Sequence, residues 1–462
     1  MELGRNFAQV IAQTSYESLP EEAVIAAKQA IMDTLGVTLA GSGVGEGVAE
    51  TIDFAMGLGG TDDCTIIGTG KRSNAVVAAF ANGAMAHAID YDDVHDDAFI
   101  HPSSSVVPTA LTVGELVGAS GKDVITAVAL GNDLSCRLGY AAANVPESNA
   151  LLWMLPVMQG TYASTAAAAK LLGLSEDQTL AAFGLALHRA GGSEELLLEP
   201  GALRGLYAMF PNMTGVMSAL MAKAGIPGLV EPFNGPGGMF NLCYAGKYDE
   251  SAFDDMGVRF EGANVSIKPW PCCRFTNSSV NAALDMAVEH DIDPTQIEHI
   301  TIFYENEKTE RCLFPEEDRK NPPSIPGAKL SLPFTVALAL AYRKIEIGSF
   351  DEQVLSDELV LGLCAKTSYE RDESLVTDLS KVMLPARVRA EMQDGNVYEK
   401  RVDAVIGHPA NRMTWTDLLA KFKDCASYAR RTFSDGELDN ISSVIEHFED
   451  VADVKELLTL VC

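Results

Sequence analysis

From Ser18 to Ala224 the chain runs through one apolar segment after another at helical spacing, rich in alanine and bounded by glycine, and this constrains the fold more than any other feature. Ser18 and Pro20 open the first segment, with Glu21 and Glu22 in its first turn and Val24, Ile25, Ala27, Ala30, Ile31 and Leu35 on its face; Gly41 and Gly43 are expected to end it. Further helices are expected from Ala75 to Ala88, from near Val106 to Gly118, from Lys122 to Leu138, from Thr161 to Leu172 and from Met213 to Ala224. Ser175 and Gln178 form a capping-box pattern for another, reaching about Ala190. Small residues on so many helices let their backbones approach closely, as in an α bundle.

The pattern changes after Val265. Ile297–Tyr304 alternates like a strand, and Ala386–Ile406 reads as a hairpin turning on the two residues Asp394–Gly395. Helical runs lie between them, near Leu330–Ala341 and Val354–Lys366, and helical spacing resumes from Thr414. The fold class is therefore mainly α with α+β: a large all-helical domain, residues 1–265 and 410–462, plus a smaller α+β domain, residues 266–409.

With 64 acidic and 34 basic side chains the formal charge is -30, which argues against nucleic acid and against an anionic membrane surface. An anionic small substrate would need a local cationic pocket within that field. The nine cysteines contain no CxxC pair, so zinc ribbons and iron–sulfur clusters are not expected, and reduced thiols in a cytoplasm are. No signal peptide is read at Met1–Ser15, and the uncharged stretch Ser148–Ala169 is too polar and broken to span a bilayer.

Three segments could carry chemistry. His87–His101 (HAIDYDDVHDDAFIH) holds three of the eight histidines and five aspartates. It reads either as a solvated acidic loop ending in a helix cap at Ser103–Ser105 or as an inward-facing site, and its spacing matches no metal signature. Ser266–Arg274 (SIKPWPCCR) sets Lys268 and Arg274 at the ends of a loop stiffened by two prolines and a tryptophan. A lysine held there loses less entropy on binding and, if desolvated, suits proton transfer; the other reading is an inter-domain hinge. Gly327–Phe334 (GAKLSLPF) places Lys329 and Ser331 before a helix, as an anion site or as a plain helix cap. Arg204 stands in an otherwise apolar run, Leu203–Phe210.

Together these segments resemble the MmgE/PrpD family, which includes 2-methylcitrate dehydratases, cis-aconitate decarboxylases and an iminodisuccinate epimerase. The resemblance rests on Asn82-Gly83, His87–Asp93, His101-Pro-Ser, Ala168–Gly173, Lys268–Arg274, Ala328–Ser331 and Lys421-Phe422, and covers nearly the whole chain. It implies a helical domain with an α+β lid, a homodimer, an active site between the domains and no metal or organic cofactor. In the decarboxylase branch the site looks like an aspartate, a threonine, two histidines and two lysines. Asp90, His101 and Lys268 match three of these; the threonine position is Val94, the first lysine is Arg204, and the second histidine falls near Met154 or Leu155, where none is present.

The chemistry implied is proton removal or delivery beside a carboxylate of a small di- or tricarboxylate. Lys268 or His101 would shuttle the proton, and Asp90 would orient His101 or hold a substrate hydroxyl. Arg204, Arg274, Lys329 and Ser331 would bind carboxylates and developing charge. Dehydration of a 2-methylcitrate-like acid leads; epimerisation of an iminodisuccinate-like acid and a catalytically silent binding protein are the alternatives.

Overall fold

The computed structural model describes residues 3–143, 145, 148–198, 203–305, 307–375 and 384–462. The chain divides into two compact units, residues 1–267 with 414–462, and residues 268–413.

The first unit is a helical bundle. Its leading helices are α1 (Leu3–Gln13), α2 (Glu21–Val44), α3 (Val48–Gly57), α4 (Ala75–His87), α5 (Pro102–Val117), α6 (Gly121–Ala143), α7 (Leu155–Leu171) and α8 (Glu176–Leu187). Met209–Lys223 follows, and the tail adds Trp415–Ser427 and Asp435–Glu446. Ser175 and Gln178 make the expected capping box at α8. Gly118, at φ 66°, ends α5 in the left-handed conformation that glycine adopts without strain.

Three expectations are corrected here. First, α2 does not stop at Gly41 or Gly43 but continues to Val44. These glycines serve close packing: a Cβ on Gly41 would lie 2.2 Å from the Met85 carbonyl oxygen, and one on Gly43 would lie 2.0 Å from that of Tyr428. Second, the helical unit is not wholly α, because Cys64–Ile66 (β1) and Lys71–Ser73 (β2) pair antiparallel. Three-residue strands are too short to print a period on the sequence. Third, α7 starts at Leu155, well before the expected Thr161, with Pro156 accommodated in its first turn, where the missing N–H has no intrahelical partner to lose.

Helix α2 has the length and composition of a membrane span, but 78% of its most apolar window is buried inside the protein. It packs against α4 and the tail helix Trp415–Ser427, and Phe422 of that helix lies against Gly36 of α2.

The second unit is α+β. Its sheet runs β4 (Thr367–Arg371), β3 (Ile297–Tyr304), β5 (Ala386–Met392), β6 (Val397–Val402); β4 is parallel to β3 and the other pairs are antiparallel. Ala386, Val388, Ala390 and Met392 of β5 all face the core, the alternation of a half-buried strand. The helices Arg274–Glu289 and Leu332–Tyr342 supply Val280, Ala283, Phe334 and Leu338 to the same core. The β5–β6 connection is longer than the expected two-residue turn. Met392 N–H donates to the Asn396 carbonyl at 2.8 Å, Gly395 N–H to the Met392 carbonyl at 2.9 Å, and Gly395 sits at φ 87°. This is the three-residue hairpin loop closed by a left-handed glycine.

Candidate active site

The site of the first unit is built where two helices meet end to end. His87 is the last residue of α4, and His101 is the residue before α5, with Pro102 fixing the first turn. The thirteen residues between them fold back tightly. Asp90 adopts φ 56° and donates its N–H to the His87 carbonyl at 3.0 Å; Phe99 adopts φ 54°. Left-handed backbone at a residue with a side chain is strained by roughly 1–2 kcal/mol, and surrounding contacts must hold it. Two antiparallel bridges do so, Val94 with Ser266 and His95 with Ile100.

The solvated-loop reading of this segment does not survive: Asp92, Asp93, His87 and His95 are all buried, at 0–4% exposure. The His87 and His101 rings meet edge-on, 4.8 Å apart. Both Asp92 oxygens lie near His87 Nδ1, at 2.8 and 2.9 Å, and Asp92 Oδ2 lies 3.7 Å from His101 Nδ1. The His101 Nδ1 itself faces the Asp93 carbonyl oxygen at 2.7 Å. A carboxylate and a carbonyl can only accept, so this network assigns the Nδ1–H tautomer to both rings and leaves Nε2 of each as the basic nitrogen. Tyr207 packs on His87 at a tilt of 45°, with centroids 4.3 Å apart and its hydroxyl 3.4 Å from Nδ1. Burial pushes the Tyr207 phenol well up, and the Asp92 and Asp90 charges add to this, so the group stays a neutral phenol.

Asp93 plays a different part. Ser103 donates its N–H to Oδ1 at 3.2 Å and its hydroxyl to Oδ2, while Asn132 donates to the Ser103 hydroxyl at 2.9 Å. Burial, then the charge of Asp33, raises the Asp93 carboxyl to about 8. Behind the loop, Lys421 forms a buried ion pair with Asp33 at 2.5 Å and donates to the Tyr91 carbonyl at 2.8 Å.

The expected residues fall as follows. His101 belongs to this cluster, and Asp90 stands on the turn beside it, with its N–H on the His87 carbonyl and its charge felt at Tyr207. Arg204 lies half-buried on the short helix Leu203–Leu206, three residues before Tyr207, and its charge is felt at that phenol. Val94 is buried and bridged to Ser266, and Met154 packs with Val157, Tyr207 and Ala208, so both positions that the resemblance assigns to polar side chains are apolar wall.

In the second unit Lys268 is buried at 1% exposure, and Arg274, at 6%, is the first residue of its helix. Cys273 N–H donates to the Lys329 carbonyl at 2.9 Å, which sets the Lys268–Arg274 loop beside the Gly327–Ser331 segment. Lys329 reaches over the Phe350 ring at 5.5 Å. Ser331 accepts from Phe334 N–H at 3.1 Å and donates to the Arg319 carbonyl, so its hydroxyl does what the helix-cap reading expects.

Sequence reasoning cited His87, Asp92 and Lys421 within motifs but gave none of them a role, and it did not name Asp33 or single out Tyr207 in its run. His87 and Asp92 are five apart, a spacing that neither a helix nor a strand brings together, and the other partners are more than a hundred residues away. Among the described residues, His87, Asp92 and His101 are also the group best placed for a metal ion, although no metal spacing is visible in the sequence. Their ligand atoms spread over as much as 4.8 Å. An ion with ligands at about 2.2 Å would need these atoms to draw together, one with ligands at about 2.4–2.6 Å would not, and either would compete with the Asp92–His87 hydrogen bonds.

A helical bundle that buries a histidine–carboxylate cluster is followed by an α+β unit that opens on a buried lysine. Residues 5–251 match the MmgE/PrpD N-terminal domain and residues 270–445 the MmgE/PrpD C-terminal domain, and the chain belongs to the MmgE/PrpD family. It is 25% identical to the cis-aconitate decarboxylase-like protein oryM of Aspergillus oryzae, over 98% of this chain and 95% of that protein. It is 24% identical to the cis-aconitate decarboxylase of Mus musculus, over 98% and 92%. It is 25% identical to the 2-methylcitrate dehydratase of Escherichia coli K12, over 77% and 76%.

Proposed function

We propose that this protein is a lyase that needs no cofactor and removes a proton beside a carboxylate, dehydrating a 2-methylcitrate-like hydroxy polycarboxylate in the cytoplasm, as a homodimer. The observation that carries this reading is the buried Asp92–His87–His101 cluster, in which a carboxylate and a carbonyl fix both imidazoles with Nε2 as base. The relatives' names, a decarboxylase and a dehydratase of polycarboxylic acids, support a lyase.

Dehydration needs a base for the carbon proton and an acid for the departing hydroxyl. In this reading His101 takes the proton through Nε2, with Asp92 and His87 holding its surroundings negative and ordered. Lys268 carries positive charge to the enediolate-like transition state and protonates the leaving hydroxyl, and Arg204 and Arg274 hold carboxylates. Lys268 follows by two residues the Ser266 that is bridged to Val94, so the chain runs from the wall of the histidine loop directly into the lysine's segment.

Epimerisation of an iminodisuccinate-like acid is the second reading. It is favoured by the apolar Val94 and Met154, because an epimerase needs a base on each face but no acid for a leaving group.

The test is incubation of the protein in heavy water, in excess chelator, with 2-methylcitrate, cis-aconitate and iminodisuccinate-like acids. Loss of water is expected, and Lys268→Ala should abolish it while the protein stays folded. Deuterium uptake without net conversion would establish the epimerase. Near-native turnover in Lys268→Ala would reject the site, and binding without either reaction would establish a silent protein. Activity lost in chelator and restored by a divalent ion would overturn the cofactor-free reading.

A further inference from the structure

Beside Tyr207 the first unit contains a cavity of about 620 Å³. Pockets of roughly 300–1,000 Å³ hold drug-sized ligands, so this one is generous for a small tricarboxylate. Its walls are largely apolar: Val157, Leu196, Tyr207, Phe210 and Met213. Its charged members are two guanidinium groups, Arg189 and Arg204, and one carboxylate, Glu195. A trianion would meet too little net positive charge here, whereas one carboxylate and a hydrocarbon arm would be matched. The apolar wall continues inward, because Met154, Val157 and Tyr207 form one buried cluster with Leu196 packed on it. Tyr207 is shared between the cavity and the histidine cluster: its ring contacts His87, which contacts His101. The cavity therefore adjoins the histidine cluster at Tyr207, so an arm lodged in it would belong to a substrate whose remainder extends past Tyr207 toward the histidines.

We infer that this cavity is a specificity pocket for the alkyl arm of the substrate, so that the protein acts on a carboxylic acid bearing an aliphatic chain, its carboxylate held at Arg204 and its chain lying between Met213 and Val157. The inference rests on the reading that the cluster is the active site. Chain length is then the variable that the pocket measures. Each buried CH2 tightens binding about fourfold, the ratio equivalent to about 0.8 kcal/mol, until the cavity is full.

The experiment is calorimetric titration of the whole protein with 2-alkylsuccinates from methyl to octyl, which carry no leaving hydroxyl. The dissociation constant should fall about fourfold per CH2 over the first several carbons. Met213→Glu should flatten this dependence, and Leu196→Glu provides the same test should Met213→Glu fail to fold. Arg204→Gln should weaken every member by a similar factor and leave the slope intact. A dissociation constant independent of chain length overturns the inference, as does a slope retained in a folded Met213→Glu protein. If the cavity is instead a contact between two copies of the chain, Met213→Glu will lower the sedimentation mass and the alkyl series will be flat, which also overturns it. A chain-length gradient without proton exchange on any acid would leave the pocket standing and refute the catalytic reading; exchange with a flat series would do the reverse.

Discussion

Replacing Lys421 by methionine tests the interior of the helical unit. Lys421 Nζ lies 2.5 Å from Asp33 Oδ1, with the two side chains only 5% and 0% exposed. The same ammonium donates to the Tyr91 carbonyl at 2.8 Å and stands 3.9 Å from the Tyr91 ring centroid. Methionine fills a similar volume but leaves Asp33 buried without its cation. Breaking a buried pair from one side destabilises by about 3–5 kcal/mol, against about 0–1 kcal/mol for an exposed pair. Removing both charges in Asp33→Asn with Lys421→Met should recover half or more of that loss, because no uncompensated charge stays behind. The assay is urea unfolding followed by far-ultraviolet circular dichroism, read on the transition of the helical unit, since a chain with two compact units need not unfold in one step. A loss below about 1 kcal/mol in Lys421→Met, or a double variant no more stable than the single, would refute the claim that this pair holds the loop after α4 in place.

Two further outcomes follow from the site. Asp93 is raised to about 8 by burial, then by the Asp33 and Asp92 charges, so its folded form keeps a proton that the unfolded chain releases near pH 4. Its contribution to stability is full below that pH and is lost as pH rises to about 8; Asp93→Asn should therefore gain on the native protein in urea midpoint between pH 5 and pH 8.5, and parallel profiles would disprove the protonated state. Asp92→Asn removes the charge that orients His87, so deuterium exchange into substrate should slow about 100-fold with KM little changed; a rise in KM at constant kcat would instead assign Asp92 to substrate binding.

The sequence by itself determined the helical first half, the β-bearing middle and the helical tail, because each helix carries its own period, start and stop within a dozen or so residues. It also marked the segments proposed to carry chemistry, since Asp90, His101 and Lys268 stand in motifs that can be read along the chain. Local signals could not decide what Gly41 and Gly43 do: a glycine that ends a helix and one that admits a neighbouring backbone look alike until Met85 and Tyr428 are placed against them. Nor could they choose between a solvated acidic loop and a buried polar cluster for residues 87–101. Burial is a property of what covers a segment, and here the covering and pairing groups are Tyr207, Asn132, Ser266 and Lys421, brought in from distant parts of the chain. The tertiary structure alone decided which carboxylate holds which imidazole, because that pairing depends on two helix ends meeting and on a strained turn at Asp90 between them.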